Sequence, residues 1–331
     1  AVPITTATSR MDRKMLTILY LAGYGTANLI SALAPSFVIV CAGRALGGLS
    51  HALLMSIAAA YAAHLVPERM TGRAISFVFG GTSLGSVLGV PGAAAISHFA
   101  SWRVALYVIA GLAALLTIFI ALYLPPVRGA DTKALKVPTI RSPQAARIFG
   151  VVICVNAVFF FAHNLLYTYV SPLLLVHGLP EHLLSVALLI TGGVSIFGLW
   201  GAGQVVDRWP AAGLFGGGLA MLTGMILVYG HLISAWPSVG AVGLWCMGYA
   251  AIIPFVMSGA IRARATSADV AGAAINSSSN FGILLGSAIG GHLLSTLGFA
   301  VLCPASVVIA LGGILLAAFN PAAFPRRLQH D

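Results

Sequence analysis

Residues Gly72 to Gly92 read GRAISFVFGGTSLGSVLGVPG, and this stretch decides how the chain is built. Gly81, Gly85 and Gly89 recur every fourth residue inside an apolar run, so on a helix they line one stripe. A stripe without Cβ atoms lets a second helix approach at backbone distance. The chain does this twice. Gly272 lies 200 residues after Gly72, and Gly282, Gly286 and Gly290 form a second stripe whose first glycine is 201 residues after Gly81. An Asp-Arg pair repeats as well, Asp12-Arg13 and, 195 residues later, Asp207-Arg208. Three features in one order at nearly constant offset indicate a duplicated unit.

Composition sets the solvent. Of 331 residues 59% are hydrophobic and 7% charged, against about 25% charged in soluble domains. Several apolar runs reach about twenty residues, enough to cross a hydrocarbon core of about 30 Å. The runs are continuous rather than alternating, so the expected class is an all-α polytopic membrane protein and not a β-barrel. The net charge of +10 is not a nucleic-acid signature, because it is placed by loop. Of the 17 Lys and Arg, 15 fall in alternate loops and at the C-terminal end; Arg103 sits in the opposite set and Arg44 inside a span. This positive-inside bias puts the central linker and the C-terminus in the cytoplasm of a multi-pass plasma (inner) membrane protein. Cys41, Cys154, Cys246 and Cys303 stand singly in apolar runs and are read as small packing residues.

Taken in order, 1–8 reads as the end of a span and 9–14 as a basic turn. Full spans are expected at 15–34, 37–65, 74–99 and 103–124, then 148–175, 183–206, 211–233, 237–261, 270–294 and 298–319. Pro125 to Arg147, with adjacent prolines and five basic residues, reads as a cytoplasmic linker between the halves. The domains expected are thus an incomplete N-terminal half (1–124), the linker (125–147), a six-helix half (148–320) and a cytoplasmic tail (321–331). The repeat offset implies about fifty residues ahead of Ala1, so a truncated twelve-span protein is expected.

At this point the chain resembles the major facilitator superfamily, and within it the twelve-span drug- and sugar-efflux proton antiporters of the arabinose-efflux type. Ser9 to Lys14 resembles the Asp-Arg-x-Gly-Arg-Lys loop between spans two and three, here without the glycine. Cys41-Ala-Gly-Arg44-Ala-Leu-Gly47-Gly48 resembles the Arg-x-x-x-Gly motif of span four, and Gly81 to Gly92 the antiporter motif of span five with Val90 before Pro91. The resemblance implies two helical halves rocking about a central site, an exported small organic solute (sugar, nucleoside or drug-like), protons as coupling ion and a monomer. It also implies that Asp12, Arg13, Lys14, Asp207 and Arg208 latch the cytoplasmic side, and that Gly81, Gly85, Gly89 and Pro91 pack the moving helices.

Candidate cavity residues follow from polar side chains in apolar spans, which need partners away from lipid. Arg44 is the sharpest, at a cost of about 2.5–3.5 kcal/mol at mid-membrane. Gly48, His51 and Met55 share its helical face. Asn156, His163, Asn164 and Tyr167, with Phe160, share a face of the span expected at 148–175. Trp245 and Tyr249 share one in the span at 237–261, and Asn276 and Asn280, with Ser287, one in the span at 270–294. All seven Asp and Glu are expected in loops or at the C-terminal end, so proton coupling falls to a histidine or to a carboxylate in the segment expected ahead of Ala1, or the coupling is something else.

Two rival classes compete with this reading. Gly81-Thr82-Ser83-Leu84-Gly85 matches G-x-S-x-G, the signature of a serine hydrolase, but that motif needs a strand–turn–helix elbow and here lies within a glycine-striped apolar run. A non-transporting sensor on the same scaffold, or an inactive truncated transporter, is the other alternative. Neither a zinc-protease nor a nucleotide-binding motif occurs, so no metal, cofactor or enzymatic activity is expected.

Overall fold

The computed structural model describes residues 11–65, 81, 85, 88–127, 142–230, 234–266 and 268–327. Among these the secondary structure is entirely helical. Eight of the described helices are long and apolar enough to cross a membrane, as expected for backbone that must satisfy its own hydrogen bonds in lipid. The chain divides into two compact units, Ala1–Ala134 and Leu135–Asp331.

In the first unit α1 (Arg13–Leu33) starts at Asp12, whose side chain accepts from the Met15 N–H at 3.0 Å, a standard N-cap. It stops at Leu33 because Ala34 precedes Pro35 and takes an extended ψ of 123°. Next come α2 (Phe37–His64), a described stretch α3 (88–99, with 81 and 85 also helical) and α4 (Trp102–Tyr123), capped by Ser101. α1 packs against both α2 and α4. Small residues set the distances: a Cβ on Gly23 would meet Ser50 Oγ at 2.6 Å, and one on Gly43 the Ala27 carbonyl at 2.9 Å. The chain leaving α4 is tied back, since Tyr61 Oη donates to the Pro125 carbonyl (2.9 Å) and the Arg13 N–H to that of Val127 (2.8 Å). Most of the expected span 74–99, the linker residues 128–141, and 1–10 lie outside the described residues.

The second unit begins with α5 (Pro143–Tyr167), capped by Ser142 with Pro143 in its first turn. The expected single span at 148–175 is broken: α5 ends at Tyr167 and α6 (Val170–Val176) resumes after Thr168 and Tyr169. Pro172 accounts for the break, because it has no N–H to give and its ring crowds the carbonyl four residues back. A 3-10 turn (Glu181–Leu183) leads into α7 (Leu184–Val205), followed by α8 (Pro210–Tyr229), α9 (Ala235–Arg262), α10 (Ala268–Leu297) and α11 (Phe299–Ala318). α9 packs on α7 and α8, while α5 packs on α10 and α11 and also touches α9. The core where they meet holds Phe159, Leu165, Leu166, Met221, Trp245 and Phe255, each at most 1% exposed.

Glycines make these approaches possible. A Cβ on Gly282 would lie 2.6 Å from the Ala157 carbonyl, and one on Gly286 2.8 Å from the Phe161 carbonyl. The second glycine stripe thus seats α10 directly on the backbone of α5. At Gly81, Gly85 and Gly89 an added Cβ would meet nothing within 4 Å. The turn after α11 is held in place too: Phe324 is buried beside Gly259, and the Ala211 N–H donates to the Pro325 carbonyl at 3.2 Å.

Candidate functional site

In the first unit the site is built around Arg44 on α2. Its Nη2 donates to Asn28 Oδ1 at 2.8 Å and its Nε to Ser31 Oγ at 3.3 Å, both on α1. The partners are themselves anchored: Asn28 Nδ2 donates to the Tyr24 carbonyl and Ser31 Oγ to that of Ala27. Both are fully buried, whereas Arg44 is exposed. A guanidinium has five donors, and the two neutral contacts aim it without neutralising it. What remains can meet an anion or an acceptor. His51, two turns along the same helix, is exposed; Met55 is helical, and its side chain lies outside the described residues. Asn28 and Ser31 escaped the sequence reading, although two polar residues three apart in an apolar span were the available signal.

In the second unit α5 and α9 bring together four of the expected residues. His163, 5% exposed, lies parallel to Tyr249 with ring centroids 3.6 Å apart and planes 5° apart. It stacks on Tyr167 at 4.7 Å and meets Trp245 edge to face at 5.4 Å. Phe160 closes on Tyr249 at 5.2 Å. Trp245 Nε1 and His163 Nδ1 are buried without a hydrogen-bond partner, each a cost of about 1–3 kcal/mol if left so.

The asparagines are placed differently. Asn156, 1% exposed, turns its amide to α10, donating to the Ile275 carbonyl (3.1 Å), Ser278 Oγ (2.8 Å) and Ser279 Oγ (2.9 Å). Asn164 Nδ2 donates to the Phe160 carbonyl of its own helix, and Asn280, which is exposed, to that of Asn276. Asn276 is half-buried on α10. Tyr169, unflagged by sequence, bonds α10 through its hydroxyl to the Ser287 carbonyl at 2.6 Å.

Of the latch residues, Asp12 serves as the α1 cap, Arg13 is buried and Lys14 half-buried. Asp207 and Arg208 are exposed, and Asp207 acts electrostatically on Arg262 at the end of α9. Arg262 Nη1 donates to Ser258 Oγ at 2.6 Å. Pro91 is buried, while Gly81, Gly85 and Gly89 are exposed.

The family model of the major facilitator superfamily matches residues 1–275. A chloramphenicol efflux pump of Mycobacterium tuberculosis (strain CDC 1551 / Oshkosh) is 29% identical over 301 residues, covering 88% of this chain and 73% of the pump. The uncharacterised transporter YtbD of Bacillus subtilis (strain 168) is 28% identical, covering 96% of this chain and 81% of its own. Among solved structures, a bacterial homologue of the human lysosomal transporter Spinster aligns with TM-score 0.70 at 15% identity, covering 100% of this chain and 87% of that one. The human organic anion transporter TETRAN aligns with TM-score 0.67 at 16% identity, covering 95% and 79%. These likenesses give the fold, and with the apolar helices they describe a multi-pass membrane transporter rather than an enzyme. The chain belongs to the major facilitator superfamily.

Proposed function

We propose that the chain is a secondary active exporter of a small organic solute, exchanging it for protons by alternating access in the plasma (inner) membrane, as a monomer with its central linker and C-terminus in the cytoplasm. The observation that carries this reading is the braced Arg44, a cation on an apolar helix held by neutral partners and left with free donors. It is supported by relatives named as chloramphenicol efflux pumps and by a fold shared with a fucose:proton symporter of Escherichia coli. The solute class is a sugar, nucleoside or drug-like molecule, neutral or weakly anionic. No Asp or Glu falls in the middle of an apolar span of this sequence, so a coupling group within it is a histidine.

Cells expressing the protein should retain less chloramphenicol than cells carrying Arg44→Ala at equal membrane abundance. Losing the charge and both hydrogen bonds should reduce efflux by about tenfold or more. An uncoupler should remove the difference. Efflux indifferent to the uncoupler would remove the proton from the mechanism, and efflux indifferent to Arg44→Ala would remove Arg44.

A further inference from the structure

The second unit holds two unsatisfied polar atoms in one aromatic cluster. Trp245 Nε1 and His163 Nδ1 have no hydrogen-bond partner, although Trp245 is 0% exposed and His163 5%. An indole N–H can only donate, and an imidazole nitrogen donates or accepts according to its tautomer. The two rings touch edge to face, so the orphaned atoms belong to one locus. Around them stand Tyr167 from α5 and Tyr249 from α9, with His163 stacked on both. An imidazole lying 3.6 Å from Tyr249 and nearly parallel to it occupies a slot one ring thick. A buried polar group left unpaired calls for an explanation, and a bound molecule that completes it is one.

Resting on the reading of the chain as a solute transporter, we infer that this cluster between α5 and α9 is a recognition subsite for an uncharged, flat aromatic solute carrying a hydrogen-bond acceptor. The solute's ring takes the stacking faces of the tyrosines, where offset or edge contact adds to area burial. Its acceptor receives the Trp245 N–H. His163 supplies the second polar contact in whichever tautomer the solute requires. No Lys, Arg, Asp or Glu belongs to the ring cluster, so a charge on the solute would go unmatched there. Both orphaned atoms are covered by protein in this structure, so entry of the solute requires His163 to leave its stack on Tyr249 and open the slot.

Equilibrium binding to the full chain in lipid nanodiscs, with no gradient imposed, tests this apart from transport. The probes are 4-nitrotoluene and 1,4-dimethylbenzene, alike in shape and differing in the nitro acceptor, with D-xylose as a non-aromatic control. The unaltered chain should bind the nitro compound about tenfold tighter than the methyl compound, and xylose weakest. Trp245→Phe keeps an aromatic ring and removes the N–H, so it should narrow the ratio to about twofold. Equal affinity for the pair in the unaltered chain, or xylose bound tightest, overturns the proposal. So does an unchanged ratio in Trp245→Phe, the result expected if the indole N–H is settled on the π face of a neighbouring ring. Efflux that fails while the probes bind as expected counts against the transport reading alone. Efflux that survives without probe discrimination counts against this subsite alone.

Discussion

Asn156 and Arg44 have opposite assignments of their polar atoms. Asn156 gives its amide hydrogens to acceptors on α10, while its Oδ1 stays buried without a hydrogen-bond partner. Asn156→Leu should therefore destabilise the second unit, by about 1 kcal/mol given the modest worth of interhelical hydrogen bonds in membranes. The loss is limited because Ser278 and Ser279 still donate to the Ile275 carbonyl. Denaturant-induced unfolding in detergent reads this directly, and a midpoint equal to that of the parent would mean the amide is not a pin between α5 and α10. Arg44, by contrast, keeps donors in reserve. The sequence could say that both side chains turn away from lipid, because polarity in an apolar run is a local fact. It could not say which was engaged, since that depends on how neighbouring helices are rotated.

At the scale of elements the two glycine stripes make a comparison. Gly282, Gly286 and Gly290 lie against the α5 backbone, with would-be Cβ contacts of 2.5–2.8 Å to carbonyl oxygens. Backbone cannot step aside as a side chain does, so Gly286→Ala should push α10 off α5 and cost about 1–3 kcal/mol. Gly272 is on the same helix with nothing within 4 Å of an added Cβ. Gly272→Ala should be neutral or stabilise by up to about 1 kcal/mol through helix propensity. Thermal midpoints of the two variants measured side by side check the contrast, and equal midpoints would show that the stripe is not a close-packing surface. The break after Tyr167 belongs to this scale too. Hydropathy ran through it because Val170 to Val176 is as apolar as what precedes, whereas Pro172 acts on backbone geometry and not on polarity.

For the whole molecule the open proposal is orientation, drawn from the 15 cations gathered on one set of loops and the C-terminal end. In a background with Cys41, Cys154, Cys246 and Cys303 replaced by Ala, a cysteine at Thr132 should resist a membrane-impermeant thiol reagent in intact cells. One at His182 should react. His182 is exposed, so a cysteine there is open to the reagent. The reverse labelling pattern would invert the topology.

The sequence by itself determined the class and family of this protein. In hydrocarbon the backbone must bond within its own segment, so length and apolarity alone select spanning helices, and glycines spaced by four select a surface for close approach. These are properties of one helix at a time. Tertiary structure alone decided which helix the second stripe meets, that Asn28 and Ser31 aim Arg44, and that His163 lies between two tyrosines with its Nδ1 unpaired. It also decided that Phe324, beyond the last span, is buried. Such partnerships are fixed by the rotation and register of packed helices, where a turn of about 100° per residue exchanges one neighbour for another without changing composition or hydropathy.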